Sequence, residues 1–267
     1  MNRAALLSIL MLISVNKLIA QRVGVGYYDL DKFYDTIPSK FYNDLDYTPD
    51  GKYGWNQDRY FRKLEHTVAV IDSMALPIIG LYGVENESVV RDLVMRSDQD
   101  YAYVHRTRNS LDGMDFALLY YGDKLFIEEV EALRNMIIIK ASLHDDTPII
   151  IILSRNGGDT LEYLDQNSFD SLIVVLGNIY QREIDKMNFT HPLKAKESRG
   201  EGNYCSTRGW VMHDRIAINQ SEKILKSGVF ITPWLLNPST QTPLSTFSGS
   251  NYIGGFGKYL PIFVYIN

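Results

Sequence analysis

Residues Asn251–Val264 read NYIGGFGKYLPIFV. Three glycines punctuate a turn, and the apolar run from Leu260 to Val264 that follows has the character of a buried strand. Lys258 and Tyr259 stand at the junction of flexible turn and rigid strand, a place where proteins mount reactive side chains. Further strands are predicted in the segments that precede it. GWVMHDRIAIN and SLIVVLGN read as strands, and MIIIKASLHDDTPIIIILS as two β-branched runs folded into a hairpin around His144–Thr147. YAYVHRT, DFALLYYG, ALPIIGLYGV and RVGVGYYDL complete the list. Two helices interrupt it. QDRYFRKLEHTVAVIDSM carries Tyr60, Leu64, Val68 and Ile71 at helical spacing, and NESVVRDLVMRS begins with Asn86 as an N-cap candidate. IPSKFYNDLDYTPDGKYGWN between them reads as loop, with a turn at Asp50-Gly51. Strands outnumber helices too heavily for a doubly wound parallel sheet. The pattern fits an α+β fold with two sheets packed face to face and helices outside.

The chain has 267 residues and a formal net charge of −5. It is long enough for a full hydrophobic core, and it shows neither repeats nor a long linker, so one domain from residue 21 to 267 is expected. The negative balance excludes a global attraction to nucleic acid or to an anionic membrane, leaving only local basic patches. The 18 tyrosines supply polar-tipped aromatic surface. At the N-terminus, MNRAALLSILMLISVNKLIAQ has a positive start, an apolar run from Ala4 to Val15, and small Ala20 before Gln21. That is the layout of a signal peptide covering residues 1–20, and the run is too short to span a bilayer comfortably. A secreted or periplasmic bacterial protein, not an integral membrane protein, is expected. Cys205 is the single cysteine, so no internal disulfide can form.

A series of short blocks in a fixed order resembles one branch of the endonuclease/exonuclease/phosphatase superfamily. YYDLDKFYDT is similar to that branch's YNVENLFDT, IIGLYGVEN to IIGLQEVEN, and YVHRTRNSLDGMDFALLY to YVHRDSPDRRGIDVALLY. LSRNGG resembles the end of NHWPSRRGG, and VVLGNIY stands where the branch has VMGDFND. GNYCSTRGWVMHDRIAIN is similar to GTYRYRGKWDMIDQIIVS, and YIGGFGKYLPIFV to YLGGFSDHLPVFV. The resemblance spans nearly the whole chain after the leader. It implies a four-layer αββα, deoxyribonuclease-like sandwich of two mainly antiparallel sheets. It also implies Mg²⁺-dependent hydrolysis of phosphoester bonds, in which carboxylates hold the ion and an Asp-His pair acts on the phosphoryl group. DTLEYLDQNSFDS, where the family has a longer helix, leaves room for two or three turns at about 1.5 Å per residue. An incomplete outer helix layer, with an apolar face open to a partner, is therefore expected.

The same comparison points to a degenerate site. The family's terminal Asp-His falls on Lys258 and Tyr259, its metal-binding glutamate on Gly83, and a histidine on Ile151. The aspartate and asparagine of GDFN fall on Asn178 and Tyr180, and the first-strand asparagine on Asp29. Asp214 matches an acidic family position, and Glu85 and Asp115 keep neighbouring ones. Groups that act as one catalytic unit fail together when several are lost. The expectation is a non-catalytic pseudoenzyme that binds an unknown protein or ligand through the old cleft or the thinned face. It would carry no cofactor and no catalytic residue, and it shows no strong nucleic-acid signal. The alternative is a divergent phosphoesterase or nuclease, in which Asp29, Asn178 and Asp214 surround a cation such as Mg²⁺. Lys258 is expected to meet Asp29, Glu85 or Asp214, or else solvent.

Other features read as structural. His66, His105, His144, His191 and His213 lack metal-ligand spacing. His213 and Asp214 are expected on opposite faces of a strand. Cys205 has no cationic neighbour in sequence to lower its pKa. GGFGK lacks the spacing and the Ser/Thr of a phosphate-binding P-loop. The basic residues of HPLKAKESRGEGN and of RTRN read as solvated loops or groove linings.

Overall fold

A computed structural model describes residues 22–108 and 110–267, so the leader expected at residues 1–20 lies outside the described residues. The first half of the chain holds β1 (Val23–Phe33), α1 (Gln57–Met74), β2 (Ile78–Val84), α2 (Glu87–Arg96), β3 (Tyr101–Arg106), β4 (Asp115–Tyr121), β5 (Leu125–Leu133) and β6 (Met136–Leu143). There follow β7 (Pro148–Ser154), α3 (Gly157–Gln166), β8 (Leu172–Gly177), α4 (Gln181–Lys186), α5 (Lys194–Glu197), β9 (Tyr204–Ser206), β10 (Gly209–Val211) and β11 (Arg215–Ile218). β12 (Ile224–Val229), the short pair β13 (Phe247–Ser248) and β14 (Asn251–Tyr252), and β15 (Ile262–Ile266) end the chain.

Two large sheets form. One runs β12-β15-β1-β2-β4-β3 and the other β11-β8-β7-β6-β5. Neighbours are antiparallel except β1 with β2 and β7 with β8. The run of isoleucines in β7 explains the layering. Ile149, Ile151 and Leu153 enter the core between the sheets with Val25, Tyr27, Val174 and Val264. Ile150 and Ile152 point the other way, into a cluster with Ile173, Val175 and Ile184. A strand covered on both faces needs no polar alternation. The six-stranded sheet is covered on its outer face by α1 and α2, whose Leu64, Val68, Ile71, Val89 and Leu93 pack with Ile79 and Leu81. The result is the α+β four-layer sandwich.

The two predicted helices start at caps that Asn56 and Asn86 provide by accepting from Arg59 N and Val89 N. The expectation of an open apolar face does not hold. α3 is short, yet Ile138, Ile150, Ile152, Ile173 and Val175 are all buried, because α3, α4, Phe169 and Phe189 close over them. GWVMHDRIAIN is two strands, β10 and β11, with Met212–Asp214 outside both. β5 and β12 went unpredicted; each lies at a sheet edge, where half-exposed, charge-bearing strands lack a clean apolar pattern. Among the described residues, no helix is long and apolar enough to cross a membrane.

Candidate metal centre and cleft

The site forms at one end of the sandwich, where β1 and β2 are both bulged. Register breaks between Asp29 and Phe33 and between Tyr82 and Val84. Asp31 and Lys32 take left-handed backbone conformations at φ 52° and 64°, and Gly83 opposite them sits at φ 87°. A Cβ on Gly83 would stand 3.2 Å from the Lys32 nitrogen and 3.6 Å from Asp29 Oδ1. A side chain at position 83 would therefore enter the site, but the backbone there favours glycine.

Asp29 is 3% exposed. Its Oδ1 accepts from the Asp31 N–H at 2.9 Å, and its Oδ2 from Arg155 Nη1 at 3.0 Å. The Arg155 guanidinium also lies 4.2 Å from the centroid of the Tyr82 ring. Asp214 is fully buried. Its Oδ2 accepts from Asn203 Nδ2 at 2.9 Å, whereas its Oδ1 has no hydrogen-bond partner among the described residues. Asn203 also accepts from His213 N and Asp214 N, and Asn178 Nδ2 donates to the His213 carbonyl at 2.8 Å. These two asparagines fix the bend that brings His213 and Asp214 to the same side, with His213 Nε2 4.0 Å from Asp214 Oδ1. The expectation of opposite faces fails because neither residue belongs to a strand. Asp29, His213 and Asp214 each offer one ligand atom within 4.8 Å of the others.

Burial raises the Asp29 carboxyl well above its ordinary range, and the charge of Asp214 adds to it while Arg155 opposes. Burial likewise raises Asp214, against the hydrogen bond from Asn203. Burial lowers His213, which favours the neutral imidazole. Tyr259 stacks on that imidazole with centroids 4.4 Å apart, and its phenol is raised by burial.

Lys258 Nζ lies 3.1 Å from Asp31 Oδ1, with the side chain 48% exposed. Its partner is thus neither Asp29, Glu85 nor Asp214, because Arg155 already occupies Asp29 and Lys258 leaves the turn at the cleft rim. Ile151 is buried between the sheets and does not line the cleft cavity. Tyr180 is 55% exposed beside Arg182, away from the cluster. Glu85 accepts from Asp35 N at 2.5 Å and Tyr42 Oη at 2.9 Å, and burial pushes its carboxyl up to about 8. Asp115 is held by Arg108 N and lies 3.3 Å from His105 Nε2. Arg155, Asn203 and His213 were missed as site residues. Arg155 lies within the LSRNGG block, which was the one signal for it in the sequence.

Asp29, Arg155 and Tyr259 line a cavity of about 90 Å³. A pocket of about 470 Å³, bordered by Arg108, Arg134 and Asn135, shares Tyr82, Asp112 and Arg155 with it. A second neighbour of about 340 Å³, lined by Tyr34, Tyr47, Tyr53, Asn43 and Asp46, shares Lys32 and Asp112 with it.

Residues 24–164 match the model of the endonuclease/exonuclease/phosphatase family. The chain belongs to that family. No curated protein matches it significantly in sequence. Solved structures are similar in fold. An endonuclease/exonuclease/phosphatase protein from Bacteroides vulgatus superposes with a TM-score of 0.62 at 8% identity, over 92% of this chain and 99% of the other. A humanized D. rerio TDP2 gives 0.60 at 10% identity, over 92% and 99%. A mannosyl-6-phosphatase from Bacteroides thetaiotaomicron gives 0.59 at 12% identity, over 92% and 100%.

The residues at this site do not fit the Mg²⁺ that the family resemblance implies. Mg²⁺ demands a near-octahedral oxygen shell and keeps several waters. Here Gly83 offers no side-chain oxygen, a guanidinium sits against Asp29, and the third donor atom is an imidazole nitrogen.

Proposed function

We propose that this family member is non-catalytic and works by binding a ligand or protein partner in the cleft between the arginine-lined and tyrosine-lined pockets. The observation that carries this reading is the Arg155–Asp29 ion pair, which sets a guanidinium of the chain itself against a carboxylate where the family resemblance implies Mg²⁺. The Lys258–Asp31 contact supports it at the rim, and glycine at the left-handed position 83 removes the glutamate. Calorimetric titration with Mg²⁺ and Mn²⁺, alongside turnover assays on plasmid DNA, a phosphodiester and a phosphomonoester, tests the proposal. Weak binding with no turnover supports it. Hydrolysis that disappears in Asp29→Ala or Asp214→Ala overturns it.

A second reading, a divergent metal-dependent phosphoesterase, is favoured by one observation: the grouping of Asp29, His213 and Asp214 with a bare oxygen on Asp214. Turnover in that same assay selects it. We further propose that residues 1–20 are removed on export and that the protein acts outside the bacterial cytoplasm. The positive start, apolar run and Ala20 support this. N-terminal sequencing of the exported protein should begin near Gln21, and a retained Met1 rejects the idea.

A further inference from the structure

We propose that Asp29, His213 and Asp214 form a binding site for a divalent cation of borderline softness, for which Zn²⁺ is the best match. None of the family's metal-binding glutamate, terminal aspartate or terminal histidine takes part, since those positions hold Gly83, Lys258 and Tyr259.

The argument starts from Asp214 Oδ1. An unpartnered oxygen on a fully buried carboxylate is costly, and more so when the group is charged. Its neighbours are the other two donor atoms. His213 Nε2, at 4.0 Å, is too distant for a hydrogen bond and stands somewhat outside the roughly 3.3–3.5 Å that separates two ligands of a tetrahedral ion. Zn²⁺ takes nitrogen and oxygen ligands at about 2.0–2.2 Å, which requires these side chains to draw in by roughly 1 Å.

The surrounding contacts are those of a held ligand set. Arg155 and the Asp31 amide orient the Asp29 carboxylate, each using one lone pair and leaving others free. Asn203 orients Asp214 and turns Oδ1 toward the cluster. The Tyr259 ring stacks on the His213 imidazole, and Asn178 Nδ2, which donates to the His213 carbonyl, also lies 3.2 Å from His213 Nε2, so the ion takes that nitrogen in place of the Asn178 amide. Such outer contacts set the direction and basicity of metal ligands.

The donor set also chooses the ion. Two carboxylates and one imidazole suit Zn²⁺, whereas Mg²⁺ seeks more oxygens and retains several waters. The adjoining cavity of about 90 Å³ has room for only a few waters. Arg155 lowers the affinity for any cation but leaves the side chains of the site with a net negative charge when both carboxylates are ionised.

Zinc binding is read without substrate, so its outcome is separate from the question of turnover. Tag-free, chelator-treated full chain is titrated with Zn²⁺ and with Mg²⁺ at pH 8 by calorimetry, and thermal unfolding is followed with each. One Zn²⁺ per chain, a raised unfolding midpoint, and Mg²⁺ weaker by roughly a hundredfold are expected. Asp214→Asn, which keeps the shape of the side chain, and His213→Ala should each weaken Zn²⁺ by roughly tenfold or more. Circular dichroism checks that the variants are folded, and anomalous scattering from zinc-soaked crystals of the unaltered protein must place the ion among the three residues. Absent Zn²⁺ binding, binding that folded Asp214→Asn leaves unchanged, an ion found elsewhere, or Mg²⁺ binding as tight as Zn²⁺ overturns the proposal.

Discussion

Gly83 is fixed by backbone geometry at the edge of the cleft. At φ 87°, with an added Cβ only 3.2 Å from the Lys32 nitrogen, any other residue is strained. Placing there the glutamate that the family resemblance implies, by Gly83→Glu, should therefore cost about 1–3 kcal/mol in urea unfolding and yield no Mg²⁺-dependent hydrolysis. Unchanged stability together with new activity would show that the backbone still accepts the old site. Two residues along, Glu85 titrates abnormally. Its carboxyl is pushed up to about 8 by burial, against an ordinary value near 4.5. A raised carboxyl favours the protonated fold, so its stabilisation is complete below about pH 4.5 and is lost as pH climbs through about 8. The Asp35 and Tyr42 donors favour the charged form and temper the loss. Between pH 5 and 8.5, Glu85→Gln should flatten the fall in stability by about 1–3 kcal/mol. A pH profile parallel to that of the unaltered protein would contradict the assignment.

Glycine at position 80 leaves room for side chains of the facing sheet. A Cβ on Gly80 of β2 would meet Leu153 Cδ2 of β7 at 2.5 Å and Leu176 Cδ1 of β8 at 3.3 Å. Gly80→Val should overpack the inter-sheet core and cost about 1–3 kcal/mol, read as a lower denaturation midpoint. A neutral effect would mean that the sheets can slide apart there. At the helices, Asn56→Ala and Asn86→Ala each remove a side-chain acceptor from the first turn and should cost about 1 kcal/mol. Both helices were legible because 3.6-residue periodicity and an N-cap are local properties. β5 and β12 were not, because at an edge the pattern depends on what lies beyond the strand.

Across the molecule, one apolar cluster joins both sheets, drawing on β1, β7, β8 and β15 alike. The sheets should therefore unfold together. The tryptophans provide a one-sided probe, since Trp55 and Trp210 pack with the outer cluster of the six-stranded sheet. Tryptophan fluorescence and far-ultraviolet circular dichroism should give coincident urea transitions. Separate midpoints would divide the chain into two folding units. The three adjoining pockets lie at one end of this shared core, so a ligand bound there should raise both transitions equally.

Hydrophobic periodicity and turn residues suffice for most of the strands and both long helices, and the resemblance to the family rests on short blocks of sequence in a fixed order. Those signals act over a few residues, and the chain carries them wherever it goes. The same blocks drew attention to Gly83, Lys258 and Tyr259. They did not show which residues those positions meet. Arg155 reaches Asp29 across 126 residues, and Lys258 reaches Asp31 across 227. Which acid each cation meets depends on shifts of a few ångströms, created by the bulges in β1 and β2. His213 and Asp214 converge because Asn178 and Asn203 hold a bend between strands. No local pattern encodes such a meeting, because each ion pair is a property of distances that exist once both sheets have packed.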